Sequence, residues 1–188
     1  MSDLLAIVRN LNRLAAVQRT GLLDTPPEEP FDRFTRLATR MFKTPTALVS
    51  IVDGDRQFFK SAIGLPEPWQ TKRETPLSHS FCKYAVALQE PLVIADARKD
   101  PTYHDNPAVR DLKIIAYAGV PLMVSGCALG AFCVIDNEPH PWSYDEVRML
   151  KDLGECVIHE IELRTRLREA DKRLKQLENA PCSHRNYL

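Results

Sequence analysis

The sequence has no excess of either charge and no long apolar run. Its 188 residues carry 25 basic and 25 acidic side chains, so the formal net charge is zero and the isoelectric point is near 7.0. Such a balance offers nucleic acid no basic surface, and we expect no nucleic-acid partner. No apolar run approaches the roughly 18 residues of a membrane span, and the first residues lack the basic start and apolar core of a signal peptide. The sequence therefore predicts a cytoplasmic protein with no membrane partner.

Cysteine is sparse, and its spacing excludes two common uses. The cysteines are odd in number and include no CxxC pair, so the sequence indicates neither a disulfide framework nor a zinc site. We expect reduced thiols and no metal ligands, and no motif identifies a cofactor. The five positions are Cys82, Cys127, Cys133, Cys156 and Cys182.

An apolar stretch from Ile114 to Asp136 is the most regular feature that is present. β-Branched and aromatic residues dominate its two arms, and Ser125-Gly126 between them is a short hairpin signal. Successive side chains of a strand point to opposite faces, and neither face of these arms is polar. The stretch therefore predicts a β-hairpin at the centre of a sheet that is covered on both sides.

Apolar spacing and turn signals predict the elements before this hairpin. Residues 4–15 have the spacing of an amphipathic helix that ends near Gly21. A second helix begins near Pro30, because proline inside a helix would break it. Asp53-Gly54 is a plain turn between two strands. The order is then strands over 46–52 and 57–64, an irregular segment over 65–75, a short helix over 78–88, a strand over 92–95 and a polar connection over 96–111.

A long helix is predicted after the hairpin. Ser143 and Glu146 have capping-box spacing, and the lack of proline before Pro181 allows a helix to about Glu178, roughly 54 Å long at 1.5 Å per residue. Its apolar residues recur in alternating steps of four and three, a coiled-coil pattern that only Glu160 interrupts. We therefore predict a parallel homodimer along this helix. Its interface residues are Met149, Leu153, Cys156, Leu163, Leu167, Ala170, Leu174 and Leu177.

Helices arranged around a mainly antiparallel sheet make an α+β fold. Over residues 21–161 the chain resembles a GAF domain, of the subgroup found in bacterial sensor histidine kinases and cyclic-di-GMP signalling proteins. The resemblance is carried, in order, by LLDTPPEEPFDRF, ALVSIVDGDRQFFKSAIGL, SFCKYAV, PLVIADARKDPTYHDNP, AYAGVPL and LGAFCVID. It implies a central antiparallel sheet with the terminal helices on one face. On the other face it implies short helices and loops over a ligand cavity.

This resemblance and the helix pattern divide the chain into four parts. They are an N-terminal amphipathic helix over 1–20, the GAF domain over 21–161, a coiled-coil signalling helix over 162–180 and a flexible tail over 181–188. We predict that an unknown small molecule binds in the cavity, since the short helix and loop above it cannot supply a large apolar surface. The alternative, a pocket filled by its own side chains, stays open. The predicted ligand-binding residues are Phe59, Ser80, Phe81, Cys82, Asp96, Tyr117 and Phe132.

Three classes of function are compatible with this domain. The first is a non-enzymatic sensory module in bacterial signal transduction, which relays a change through paired helices to a downstream kinase or cyclase output domain. The second is a free methionine-(R)-sulfoxide reductase, an enzymatic GAF branch that uses cysteines over the same cavity; buried, inert thiols are the competing interpretation. The third is a tetrapyrrole photoreceptor, but the family's Cys-His pair is missing because Lys83 follows Cys82. The sequence favours the first class.

Overall fold

The fold is built on one six-stranded antiparallel sheet in the computed structural model, which describes residues 2–179. The strands are β1 (Thr46–Val52), β2 (Arg56–Ile63), β3 (Glu74–Pro76), β4 (Leu92–Ile94), β5 (Ala116–Val124) and β6 (Cys127–Asp136), in the spatial order β3-β2-β1-β6-β5-β4. The helices are α1 (Ser2–Val8), α2 (Leu11–Thr20), α3 (Glu29–Phe42), α4 (Trp69–Lys72), α5 (Cys82–Leu88), α6 (Pro107–Asp111) and α7 (Tyr144–Glu178). The predicted α+β class is confirmed.

The predicted hairpin, β5 and β6, lies at the centre of this sheet. Ser125 and Gly126 have φ angles of 50° and 76°, and a tight hairpin turn of this kind requires such positive values. β6 pairs with β1 on one side and with β5 on the other. Both faces of the pair are buried, as the apolar pattern predicted.

Long helices cover one face of the sheet, which we call the long-helix face. α2, α3 and α7 pack there on residues from β1, β5 and β6. α7 lies close to β5 at Gly154, where an added Cβ would lie 2.6 Å from a methyl carbon of Val120. The Ser143 side chain accepts from the Glu146 amide and the Glu146 carboxylate accepts from the Ser143 amide, so the predicted capping box is present.

The opposite face, the short-helix face, is covered by α1, α5 and the connections around them. The sequence predicted one continuous N-terminal helix on the other side, and this is wrong. The Asn10 side chain caps α2 by accepting from the amides of Asn12 and Arg13, so the helix ends and restarts there. Val8 of α1 then packs in the same core as α5.

Two further segments differ from the prediction. The stretch over 65–75 is not wholly irregular, because α4 and the edge strand β3 form within it; both are only three or four residues long, which is too short for a periodic pattern. The predicted helix over 78–88 divides into a 3₁₀ turn, Leu77–His79, and α5. The predicted tail over 181–188 lies outside the described residues, and the four domain boundaries stay predictions.

Candidate functional site

Four of the predicted ligand-binding residues meet in the core of the short-helix face. Phe59 of β2, Phe81 and Cys82 at the start of α5, and Tyr117 of β5 are each at most 2% exposed. The Phe81 and Tyr117 rings are stacked with their centroids 5.5 Å apart. An added Cβ on Gly119 would lie 2.2 Å from the Tyr117 hydroxyl, so the ring lies over this glycine. These rings occupy the space between α5 and the sheet, and their role in ligand binding stays a prediction.

Two thiols meet beside these rings. The sulfur of Cys82 lies 3.9 Å from that of Cys133 on β6, and the Tyr117 hydroxyl donates to Cys82 over 3.3 Å. Hydrogen bonding from Cys133, and also from Tyr117, lowers the pKa of Cys82, whereas burial raises the pKa of Cys133. Cys82 would therefore ionise first. The Ser50 hydroxyl points toward it but is buried with no hydrogen-bond partner among the described residues.

The two predicted polar contacts have other roles. Ser80 is buried, and its hydroxyl donates to the Gln57 side chain and accepts from the Lys83 amide at 3.0 Å, so it fixes the start of α5. Asp96 follows β4 and accepts from the amide and the guanidinium of Arg98. The guanidinium lowers the pKa of Asp96 to about 2. This carboxylate therefore holds its own loop rather than pointing into the thiol cluster.

The prediction that Phe132 shares this space is wrong. In the hairpin Phe132 is paired with Val120, while Gly119 is paired with Cys133. Paired residues point to the same side of a sheet, so Phe132 faces the long helices and packs in their core. Tyr117 and Phe132 are thus on opposite faces.

A buried ionic cluster on the long-helix face was not predicted. β2 carries one extra residue opposite Val49 and Ser50, and with this bulge both Lys60 and Ser61 reach the α3 side. The Lys60 ammonium is fully buried and donates to Thr25, to Pro26 and to the Glu28 carboxylate. Burial lowers the pKa of Lys60 against the opposing effect of Glu28.

The same Glu28 binds α7. Arg164 donates from Nε to both oxygens of Glu28, at 3.0 and 2.8 Å, and from Nη1 to the carbonyl oxygens of Thr20 and Gly21. Glu28 therefore links β2, through Lys60, to α7. The LLDTPPEEPFDRF motif contains Glu28, but sequence spacing alone could not identify its two partners.

The start of α7 is bound to the other end of the sheet. The Trp142 indole donates to the Ile94 carbonyl at 3.1 Å, and the His140 amide donates to the Ala95 carbonyl at 3.0 Å. Ile94 is the last residue of β4, and Ala95 follows it directly before Asp96 and its loop. The residues just before α7 are therefore bound to the end of β4, where the loop of the short-helix face begins.

The predicted interface residues are in two environments. Met149 and Leu153 are partly buried against the long-helix core, while Cys156 and Ala170 are exposed. Farther along α7 the exposed fractions are 55% for Leu163, 58% for Leu167, 57% for Leu174 and 72% for Leu177. The structure describes one chain, so pairing along α7 stays a prediction.

A family model places this geometry among known domains. The model of the GAF domain matches residues 26–159, which include β1 through β6 and most of the docked part of α7. The chain belongs to the GAF domain family. None of the described helices has the length and apolar character to cross a membrane. Residues 2–179 also contain no group of three or more metal-binding side chains.

A curated relative of this GAF domain is part of a larger signalling enzyme. A cyclic di-GMP phosphodiesterase of Pseudomonas aeruginosa is 40% identical over 153 residues, 80% of this chain and 25% of that protein. The chain thus spans about a quarter of the length of this curated relative.

Two solved structures show the same fold. The blue-light absorbing form of the PixJ GAF domain from Thermosynechococcus elongatus has a TM-score of 0.59 at 15% identity, over 91% of this chain and 98% of that one. A free methionine-R-sulfoxide reductase from Neisseria meningitidis, solved with its substrate, has a TM-score of 0.59 at 16% identity, over 82% and 89%. At these identities the likeness concerns the fold alone.

Proposed function

We propose that this GAF domain is a non-enzymatic, cytoplasmic sensory module of a bacterial signalling protein, and that it acts as a homodimer paired along α7. The observation that supports this best is the continuity of α7. One unbroken helix docks on the sheet as far as Ile161 and then carries a leucine stripe that the described domain leaves exposed. Apolar stripes of this spacing are buried by a partner helix.

The contacts of α7 support a relay between the two faces. Its cap is bound to the end of β4, and Arg164 is bound to Glu28 and so to Lys60 of β2. A shift of the loop after β4 would move the cap, while the Glu28 contact holds the helix at its exit from the domain. A rigid helix fixed at these two points converts a small displacement into a rotation or tilt of its free end.

The input, in this proposal, acts on the short-helix face. A small molecule entering there must displace the Tyr117 ring, and it would gain the unpartnered Ser50 hydroxyl as a polar contact. Native mass spectrometry of freshly purified protein tests this step. We expect a retained small molecule that the Tyr117→Trp variant, with a larger ring in the same place, no longer holds; equal retention by both proteins would place the ligand elsewhere.

The output belongs to a partner domain. We propose that α7 acts on a kinase or cyclase output domain, or on another enzyme of cyclic di-GMP turnover, as the name of the Pseudomonas relative suggests.

Sedimentation equilibrium of a double variant, Leu167→Asp with Leu174→Asp, tests the dimer. Unpaired charges in the seam cost several kcal/mol, so we expect the dissociation constant to rise by at least about 1000-fold while the circular dichroism of the domain is kept. Lys172→Asp, which places an aspartate outside the stripe, is the control and should remain dimeric. A wild-type protein that is monomeric at micromolar concentration would contradict the proposal.

A further inference from the structure

Two thiols from distant parts of the chain meet in the core of the short-helix face. Cys82 begins α5, Cys133 lies on β6, and 51 positions separate them in the sequence. Their sulfur atoms lie 3.9 Å apart, and neither residue is more than 1% exposed. No spacing motif joins the two cysteines, which is why the sequence predicted no metal ligands here. The fold thus brings together a pair of soft donors that the sequence does not show.

The separation of these sulfur atoms suits an ion between them better than a bond between them. A disulfide needs sulfur atoms about 2.05 Å apart, so they would have to approach each other by about 2 Å. Two metal–sulfur bonds of about 2.3 Å, the length in zinc thiolates, hold the sulfurs about 4.6 Å apart in a linear arrangement and closer in a bent one. The observed 3.9 Å then needs an opening of at most about 0.7 Å. The smaller rearrangement favours metal binding.

The number and kind of donors select the ion. Structural zinc sites use four ligands, but residues 2–179 contain no group of three or more His, Cys, Asp or Glu side chains that could hold an ion. Calcium and magnesium need oxygen ligands in larger number. Thiolates select soft ions such as Cu(I), which is stable with two sulfur ligands alone. The buried pair of thiols therefore fits Cu(I).

Two hydroxyl groups lie beside the sulfur of Cys82. The Tyr117 hydroxyl donates to it over 3.3 Å. The Ser50 hydroxyl is fully buried, points toward the same sulfur and has no hydrogen-bond partner among the described residues. One Cu(I) and two thiolates carry a net charge of −1, and hydroxyl donors stabilise such a charge in the core. Hydrogen bonding from Cys133 and Tyr117 already lowers the pKa of Cys82, so this thiol loses its proton first.

We propose that Cys82 and Cys133 bind one Cu(I) ion between them, with the hydroxyls of Tyr117 and Ser50 as donors to the metal-bound sulfur of Cys82. Each thiol releases its proton to solvent when its sulfur binds the ion, and no electron is transferred. The site adds a metal ligand to the face on which the proposed input acts. It goes beyond the proposed function, because it depends on neither the dimer nor the relay through α7.

Copper binding is measured in a chain that keeps only this thiol pair, with Cys127, Cys156 and Cys182 replaced by serine. The reduced chain is equilibrated with Cu(I) in the absence of oxygen, because entry to a buried site requires α5 to open locally. Competition with a chromophoric Cu(I) chelator then gives the stoichiometry and the affinity. We expect one Cu(I) per chain, which an equal amount of Zn(II) should not displace.

Removing one sulfur should abolish the site. We expect Cys82→Ser or Cys133→Ser to lower the affinity for Cu(I) at least about 1000-fold, because only one soft ligand remains. Tyr117→Phe keeps both sulfurs and the ring, and it should lower the affinity about 10-fold by losing one hydrogen bond to a charged group. This variant also tests the site if a cysteine variant does not fold. Cys156→Ser alone, which removes an exposed thiol from the natural chain, is the control and should keep the affinity of the buried site.

Two results would overturn the inference. One is a folded, reduced chain that keeps the thiol pair and binds no Cu(I), or that binds as much after Cys133→Ser. The other is a disulfide between Cys82 and Cys133 that persists under reductant and excludes the ion, which would assign the pair to redox chemistry. Neither result concerns dimerisation, so the proposed function would stand or fall separately, by the oligomeric state of the wild type.

Discussion

Buried polar groups on the two faces of the sheet differ in their hydrogen-bond partners. On the long-helix face, the buried Lys60 ammonium has three hydrogen-bond partners, and one of them, Glu28, is also bound to α7. Four buried side-chain atoms have no partner among the described residues: Ser50 Oγ and Asn106 Nδ2 on the short-helix face, Thr75 Oγ1 on β3, and Gln70 Oε1, which lies near Lys60. Each such orphan costs about 1–3 kcal/mol. The buried charges of the long-helix face are thus held by partners, while a ligand that enters the short-helix face would gain two polar contacts, Ser50 and Asn106.

The largest effects are expected from removing one aromatic ring on each face. Tyr117→Ala and Phe132→Ala each leave a buried cavity, and we expect each to lower the free energy of unfolding by about 3–5 kcal/mol. If the short-helix face is the adaptable one, p-cresol should restore stability to Tyr117→Ala by binding in place of the ring, and not to Phe132→Ala. Urea denaturation at fixed protein concentration, with and without p-cresol, measures both. If p-cresol stabilises neither variant, the cavity has closed on both faces and the two faces do not differ in this respect.

The architecture of both faces could be predicted because it depends on local patterns. Turn residues, the capping box and the apolar arms of the hairpin each specify their own structure within a few residues, and each is present. The leucine stripe was predicted equally well as a helical feature, but what covers it is a property of two chains.

Which side chains lie on each face depends on details that the spacing of residues in the sequence does not contain. One extra residue in β2 places the adjacent Lys60 and Ser61 both on the side of the long helices, and a simple alternation of side chains allows only one of them there. Phe132 was assigned to the wrong face because the assignment did not use its pairing with Val120 across the hairpin. The break at Asn10 comes from a side-chain cap inside an otherwise continuous apolar pattern.

A smaller effect is expected from Glu28→Gln, which removes the charge that links β2 to α7. Because Glu28 is partly exposed, we expect the free energy of unfolding to fall by about 1–2 kcal/mol, which is less than for a fully buried pair. Glu29→Gln is the matched control: its partner Arg36 is on the surface, and the change should leave the free energy of unfolding nearly unchanged.

The pH dependence of this difference has a defined sign. Burial alone would raise the pKa of Glu28, but hydrogen bonds from Arg164 and Lys60 outweigh it and place the pKa below the ordinary value of 4.5. A depressed carboxyl pKa contributes stability above the unfolded value and loses it as the pH falls through the folded value. The stabilities of wild type and Glu28→Gln should therefore converge below about pH 4.5. A difference that stays constant from pH 7 to pH 3 would show that Glu28 acts by shape rather than charge.

Removing the N-cap of α7 should lower the free energy of unfolding by less than Glu28→Gln does. Ser143→Ala loses the hydrogen bond to the Glu146 amide, and N-cap substitutions of this kind cost about 1 kcal/mol. Ser143→Asn keeps an acceptor and should be nearly neutral. Hydrogen exchange should become faster in the first turn of α7 and at the end of β4, since Trp142 and His140 connect them. Faster exchange in α7 alone would argue against coupling between the cap and β4.

The last prediction concerns catalysis. We expect no turnover of free methionine-(R)-sulfoxide, although Cys82 and Cys133 touch and the reductase fold is shared. A reductase thiol must reach its substrate as a thiolate. Hydrogen bonding lowers the pKa of Cys82, but neither thiol is more than 1% exposed, so a substrate cannot reach either of them in this structure. The assay compares wild type with Cys82→Ser, and with Cys156→Ser as an exposed-thiol control, in the presence of a thiol reductant. Turnover by wild type that Cys82→Ser abolishes and Cys156→Ser keeps would make the short-helix face an active site, and the sensory proposal would then be wrong.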